Sequence, residues 1–293
     1  MKKIALIFLI TLTSCHQTQK PLSITIGSKS FTEQEILGEI MAQLIEAKLN
    51  IPVTRKFYLG GTMVCLNALK KGDIDIYPEY TGTALISILN YPSIADRKIA
   101  FSTVSKEFQN KYEIAWMPPL GLNNSYTLTM QDKQSKKLGI AKISQLRNFQ
   151  NTLKAGFDHE FMDRPDGYAG LARRYGLHFK NRPIEMDPGL MYKAIQNGQV
   201  DLICGYTTDG RIAAYKLTIL EDDLNFFPPY EAAPIVRQET LQKIPHLREV
   251  LELLSGKITD EKMRAMNFAV DEEHRDIKLI AREFLLGEKL IEK

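Results

Sequence analysis

The sequence is poor in the groups that build a reaction centre. Its five histidines, His16, His159, His178, His246 and His274, are scattered, and no His-x-x-x-His, Cys-x-x-Cys or Gly-x-Ser-x-Gly occurs. That weakens zinc and nucleophile readings. Gly60-Gly61-Thr62 has too few glycines for a dinucleotide loop and no Gly-Lys-Ser/Thr follows, so a phosphate loop is disfavoured. No catalytic residue, metal or cofactor is expected. Charge is also close to balanced: 38 Lys+Arg face 35 Asp+Glu, both signs interspersed and without a long basic run, so nothing argues for nucleic acid. Beyond the first fifteen residues no stretch approaches the roughly 20 apolar residues that a membrane helix needs. Cysteine is scarce as well. Cys65 falls on an expected helix and Cys204 at an expected strand end of the other half, which argues against a disulfide between them.

What the chain does have begins at its N-terminus. Lys2-Lys3, an apolar run from Ile4 to Leu12 and the small pair Thr13-Ser14 before Cys15 have the layout of a secretory signal. Leu12-Thr13-Ser14-Cys15 resembles the bacterial lipobox, which makes Cys15 a candidate lipid-modified first residue of the mature protein, with 1–14 as signal peptide and 15–21 as tether. Losing Lys2 and Lys3 brings the formal net charge of +3 to about +1. An extracytoplasmic body on a membrane tether is expected.

The body is organised around a repeat. Ala68-Leu69-Lys70-Lys71-Gly72-Asp73-Ile74-Asp75 returns 126 residues later as Ala194-Ile195-Gln196-Asn197-Gly198-Gln199-Val200-Asp201, and Tyr80-Thr81 returns as Tyr206-Thr207. In each copy an apolar pattern at helical spacing ends at a glycine suited to the left-handed residue past a helix. A short apolar run of strand type follows, then a tyrosine. Asp187-Pro188-Gly189 stands where the first copy has Gly61-Thr62-Met63, a second loop-to-helix junction. Two α/β lobes of similar plan are implied, with both tyrosines at the carboxyl ends of strands, where ligands of open α/β sheets bind.

Other stretches fit that plan. Ser23 to Gly27 and Pro52 to Leu59 read as strands, and Ser30-Phe31-Thr32-Glu33 as a capping box before a helix whose core stripe is Ile36, Leu37, Ile40, Met41, Leu44 and Ile45. Helices are expected at 82–89 and 97–112, and a further one starting at Arg164-Pro165-Asp166-Gly167 with proline in its first turn. Asp73 and Asp75 read as a solvated pair. A strand from Thr127 and a proline-stiffened loop at Phe226 to Tyr230 look like crossings between lobes. The first lobe is therefore expected at 22–124 and 231–293, with the second, 125–230, inserted.

Tyrosine is concentrated at loops and strand ends: Tyr80, Tyr126, Tyr206 and Tyr230. Two belong to the repeat and two to the crossings, so all four can face one cleft as an aromatic box. Such a box suits a quaternary ammonium, whose charge is spread over methyl groups and is held by ring faces. Lys29 and Arg164 add cations suited to a carboxylate.

Gly27-Ser28-Lys29-Ser30-Phe31-Thr32-Glu33-Gln34, Gly60-Gly61-Thr62, Asp75 to Thr83, Arg164-Pro165-Asp166-Gly167-Tyr168 and Pro229 to Pro234 closely resemble the substrate-binding proteins of osmoprotectant ABC importers, over essentially the whole mature chain. The resemblance implies a two-lobed periplasmic-binding-protein fold of type II, with the ligand cleft between the lobes. Its ligand would be glycine betaine, proline betaine, carnitine or choline, and its partners an ABC permease with its ATPase. A monomer is expected. By position the family's cage falls on Tyr80, Tyr126, Tyr206 and Tyr230, and its carboxylate-binding residues on Lys29, Thr83 and Arg164, with a backbone contact near Asn124. Ser30 departs from the asparagine or threonine of many relatives. An enzyme on the same scaffold, acting on a small zwitterion, is the rival reading.

Overall fold

The structure, a computed structural model, describes residues 22–292; the expected leader, Cys15 and tether lie outside them. Among the described residues, ten strands form two five-stranded sheets. β1 (Ile24–Gly27), β2 (Val53–Lys56), β3 (Ile76–Tyr80), β4 (Ile114–Trp116) and β10 (Ala232–Arg237) make the first, in the order β2-β1-β3-β10-β4. β5 (Tyr126–Gln131), β6 (Ala155–Phe157), β7 (Ile184–Glu185), β8 (Leu202–Tyr206) and β9 (Leu217–Ile219) make the second, in the order β7-β6-β8-β5-β9. The orders correspond position by position. β3 lies at the centre of one sheet and β8 at the centre of the other, each parallel to one neighbour and antiparallel to the next.

The internal repeat is the origin of this likeness. α1 spans Thr32–Leu49, and α2, Thr62–Lys71, enters β3 through Gly72 in the left-handed region at φ 80°. The helix Pro188–Gln196 enters β8 through Gly198 at φ 67°. Both turns need positive φ, which glycine adopts without a Cβ clash. The repeat-related aspartates do the same work. Asp75 accepts from the Thr25 amide through Oδ2 at 2.8 Å and Asp201 from the Lys154 amide at 2.8 Å, each tying its strand's entrance to the next strand. Asp75 is thus a structural acceptor, held also by Thr240 at 2.8 Å, where a solvated pair with Asp73 was expected.

The stripe Ile36, Leu37, Ile40, Met41, Leu44 and Ile45 is wholly buried, the face on which α1 packs. Its expected capping box is absent: Phe31 is the N-cap residue and no side chain caps it. Thr32 instead donates to Asp271 at 2.5 Å, and Glu33 turns inward. Residues 84–88 form a π-helical turn inside the expected helix, and β2 stops at Lys56, short of the expected Leu59. Arg164 to Gly167 is a link between the helices His159–Asp163 and Tyr168–Tyr175, so Pro165 is not in a first turn. Proline disfavours helical backbone at the residue before it, and Arg164 is accordingly extended.

The chain passes between sheets twice, from β4 to β5 and from β9 to β10. The two passages are joined: Asn123 and Glu231 form an isolated antiparallel bridge, and the Tyr230 amide donates to Asn123 Oδ1 at 2.7 Å. Cys65 and Cys204 are free and buried, Cys204 lying within β8. Burial pushes the Cys65 thiol up to about 12, so it is not a thiolate at neutral pH.

Candidate functional site

β3 and β8 both end in a tyrosine, and these ends face one another across the cleft. Tyr80 and Tyr206, with Tyr126 at the start of β5 and Tyr230 just before β10, surround one small cavity, which Lys29, Thr83, Asn124 and Arg164 also line. All eight residues singled out in the sequence therefore converge. Tyr126 stands directly opposite Tyr206 in the β5–β8 ladder, rings 5.0 Å apart, and meets Tyr230 edge to face at 5.9 Å. Gly82 makes room for that arrangement: a Cβ there would lie 2.7 Å from the Tyr230 ring and 2.8 Å from the Pro229 carbonyl.

Sequence reasoning overlooked Phe31 and Glu160, which complete the wall. The Phe31 ring is close to parallel with both repeat-related tyrosines, 6.4 Å from Tyr80 and 6.2 Å from Tyr206. It stands inside the quoted Gly27–Gln34 motif, so a signal existed, but a residue next to an expected cap reads as a packing residue.

The carboxylates behind the rings were also overlooked. The Tyr80 hydroxyl donates to Glu33 at 2.7 Å, that of Tyr206 to Asp158 at 3.2 Å, and that of Tyr230 to Asp166 at 2.5 Å. Each bond fixes a ring's tilt. Each also sets a hydrogen-bond acceptor at the ring's oxygen, which draws on the hydroxyl hydrogen and makes the ring face more electron-rich towards a cation. Glu33 and Asp158 are both raised above the ordinary carboxylate range, chiefly by burial, against the pull of their hydrogen bonds. Burial and the nearby carboxylates push the three phenols well above their ordinary value, so all three remain hydroxyls.

The two expected cations have different surroundings. Arg164 grips Asp166 through Nε at 2.8 Å and Nη2 at 2.5 Å, leaving Nη1 towards Thr83 Oγ1 at 3.1 Å and Glu160 at 3.4 Å. Its guanidinium lies 5.4 Å from the Tyr126 ring centroid and 5.8 Å from that of Tyr230. One edge of the fork is held and the other faces the cavity, the arrangement required to meet a carboxylate at a defined angle. Lys29 lines the cavity, but its ammonium is paired with buried Glu79 at 2.6 Å and sits 5.2 Å from the Tyr80 ring. Both cations are thus already paired with a buried carboxylate, and what distinguishes Arg164 is the direction of its Nη1 edge.

Hydrogen bonds run across the cleft on both sides of the cage. Thr62 donates to Glu160 at 3.0 Å and Arg164 to Thr83, while Thr208 donates to Glu33 at 2.6 Å and Arg264 to the Thr207 carbonyl at 2.9 Å. The cavity measures about 30 Å³, far below the few hundred Å³ of an ordinary ligand pocket. A trimethylammonium group needs more room than that, so the walls must part to admit one.

The family model of the substrate binding domain of the ABC-type glycine betaine transport system, OpuAC, matches residues 23–286. This chain belongs to the OpuAC family. A carnitine transport binding protein of Listeria monocytogenes, OpuCC, is 36% identical over 265 residues, 90% of this chain and 86% of that protein. A glycine-betaine-binding protein of Pseudomonas aeruginosa is 36% identical over 280 residues, 92% and 89% respectively. A crystal structure of a glycine betaine/carnitine/choline ABC transporter protein aligns with a TM-score of 0.78 at 32% identity, covering 92% of this chain and all of that one. The OpuAC match and these structures make the fold a two-lobed, type II periplasmic-binding-protein fold. The relatives are transport binding proteins, so the enzyme reading has no support among them.

Proposed function

We propose that this chain is a lipid-anchored OpuAC-family binding protein that captures a quaternary-ammonium osmolyte outside the cytoplasm and delivers it to an ABC permease. The observation that carries the ligand class is the convergence of Tyr80, Tyr126, Tyr206 and Tyr230, three of them held by carboxylates, on one cavity beside the Nη1 edge of Arg164. The rings take the methylated cation by their faces. Arg164 Nη1 and the Thr83 hydroxyl take a carboxylate, and Asn124 borders the same cavity. Lys29 holds Tyr80 in place from below, through its pair with Glu79 and its position near the ring.

The lobe boundaries belong to the same proposal: 22–124 with 231–293, and 125–230 between them, supported by which strands share a sheet. The passages at Asn123–Asn124 and Tyr230–Glu231 then form the hinge, and the protein works as a monomer. Because the cage is built from both lobes, ligand favours the closed state. Calorimetry with glycine betaine, carnitine and choline, together with small-angle scattering of the free and loaded protein, tests this. Binding of at least one of these solutes with a smaller radius of gyration is expected. Binding of none of them, or an unchanged radius with ligand demonstrably bound, would refute the reading of the cage or of the hinge respectively.

A further inference from the structure

Residues 207–215 lead from β8 to β9 of the second sheet, and they run along the helix Asp260–Asp271, which packs on α1 beside the first. Arg264 donates to the Thr207 carbonyl at 2.9 Å and Asn267 to the Thr208 carbonyl at 3.0 Å. Further out, Arg211 meets Asp271 at 3.5 Å, and the Tyr215 hydroxyl donates to Glu272 at 2.6 Å. Arg264, Asn267, Phe268, Asp271 and Glu272 fall at i, i+3, i+4, i+7 and i+8, one stripe along one helix face. The inner end of this seam reaches Glu33, which accepts from Thr208 and Asn267 as well as from Tyr80 and Asn124. None of the seam residues lines the cage cavity.

Both sides of the outer seam are fixed by their own neighbours. Arg211 is held by Asp209 through Nε at 2.9 Å and Nη2 at 2.6 Å, with its guanidinium 4.1 Å from the Tyr192 ring centroid, and Asp271 accepts from Thr32 of α1. Gly210 stands between Asp209 and Arg211. Its φ of −64° and ψ of −26° suit any residue, so backbone freedom does not require glycine there. Room does. A Cβ at 210 would stand 2.5 Å from Phe268 Cβ and 2.6 Å from the Arg264 carbonyl oxygen. Those atoms belong to the body of a helix and cannot swing aside as the tip of a long side chain would.

We infer that this seam is a closure latch, in which Gly210 is the positioning residue that lets residues 207–215 meet the helix Asp260–Asp271 as the lobes close. The latch sets how tightly solutes are held and not which of them are held. Its outer contacts form in the closed arrangement and touch no solute, so weakening them lowers the population of the closed state. Affinity for every solute then falls by one common factor. The inference rests on the lobe closure proposed above and on no particular solute.

The test compares the natural protein with Gly210→Ala and Tyr215→Phe, both at the outer end of the seam, away from Glu33. In calorimetry with glycine betaine, carnitine and choline, Gly210→Ala should bind each solute about tenfold or more weakly, with the ratios between solutes kept within about twofold. Tyr215→Phe loses one hydrogen bond of the seam and should be weaker by about threefold to tenfold in the same uniform way. Dyes on one exposed position of each lobe, introduced as Lys106→Cys and Lys180→Cys, report the closed fraction of the free protein by single-molecule energy transfer, and Gly210→Ala should lower it. The urea midpoint of Gly210→Ala should not fall, because alanine suits that backbone once the lobes part. A lowered midpoint with unchanged affinity overturns the latch, since the seam is then a fixed part of the fold. A loss confined to one solute, or a closed fraction equal to that of the natural protein, overturns it as well. If the natural protein binds none of the three solutes, the cage reading fails, and the closed fraction of the free proteins still decides the latch. If Gly210→Ala does not fold, Tyr215→Phe decides by the same two readouts.

Discussion

The Tyr80 hydroxyl lies 2.7 Å from Glu33 Oε1, so the tyrosine that ends β3 is locked to the first turn of α1. A ring held at its oxygen cannot tilt without breaking a bond to a buried carboxylate. This alters what a conservative change should do. Tyr80→Phe keeps the ring face yet removes one of the four donors to Glu33, a hydrogen bond to a carboxylate being worth about 1.5–3 kcal/mol. Part of that loss should appear in stability and part in affinity. Tyr80→Leu should lose a further 0.5–2 kcal/mol or so of betaine binding with the cation–π contact. Chemical unfolding and calorimetry on both variants separate the two effects; Leu binding betaine as well as Phe does would remove the ring from recognition.

Arg164 and Asp166 form a pair in which each is less than a tenth exposed. Arg164→Ala alone leaves Asp166 buried and uncompensated, so a loss of about 3–5 kcal/mol in stability is expected. Adding Asp166→Ala should recover a good part of it, although Tyr230 then loses its acceptor. Betaine binding should not recover. A double variant that regains both stability and betaine affinity would show that Arg164 serves the lobe and not the ligand.

Glu33 provides a pH signature with a definite sign. Burial raises its carboxyl above the ordinary 4.5, so below that pH the group is protonated in the folded and unfolded chains alike and its contribution is fully present. As pH rises past 4.5 the unfolded chain releases its proton first, and stability falls until the folded carboxyl ionises too. Urea midpoints measured between about pH 4 and 8 should therefore show the natural protein losing stability relative to Glu33→Gln. Parallel curves for the two proteins would mean that Glu33 ionises in the fold as it does in the open chain.

The lipid anchor is tested at Cys15. Cys15→Ser should move the protein from the membrane fraction to the soluble fraction with its ligand affinity unchanged. Continued membrane association would rule out the lipobox reading.

Much of this protein was determined locally. A helix, a glycine able to take positive φ and a five-residue strand ending in tyrosine are short-range patterns, so their recurrence after 126 residues gave away both central strands and the equivalence of Tyr80 and Tyr206. The apolar stripe of α1 was legible for the same reason, since helical periodicity is a property of consecutive residues. The fate of Glu33 was not. Its spacing from Ser30 suits a cap, yet its four donors come from residues 80, 124, 208 and 267, which only the packing of both sheets and the C-terminal helices brings together. Likewise the sequence marks Lys29 and Arg164 equally as cations, and the tertiary structure separates them. Each is paired with a buried carboxylate, Glu79 or Asp166, but Arg164 also turns its Nη1 edge to Thr83 and Glu160 at the cavity. Which way each cation is turned depends on partners distant in sequence or on the path of a short link, and neither is written in local periodicity.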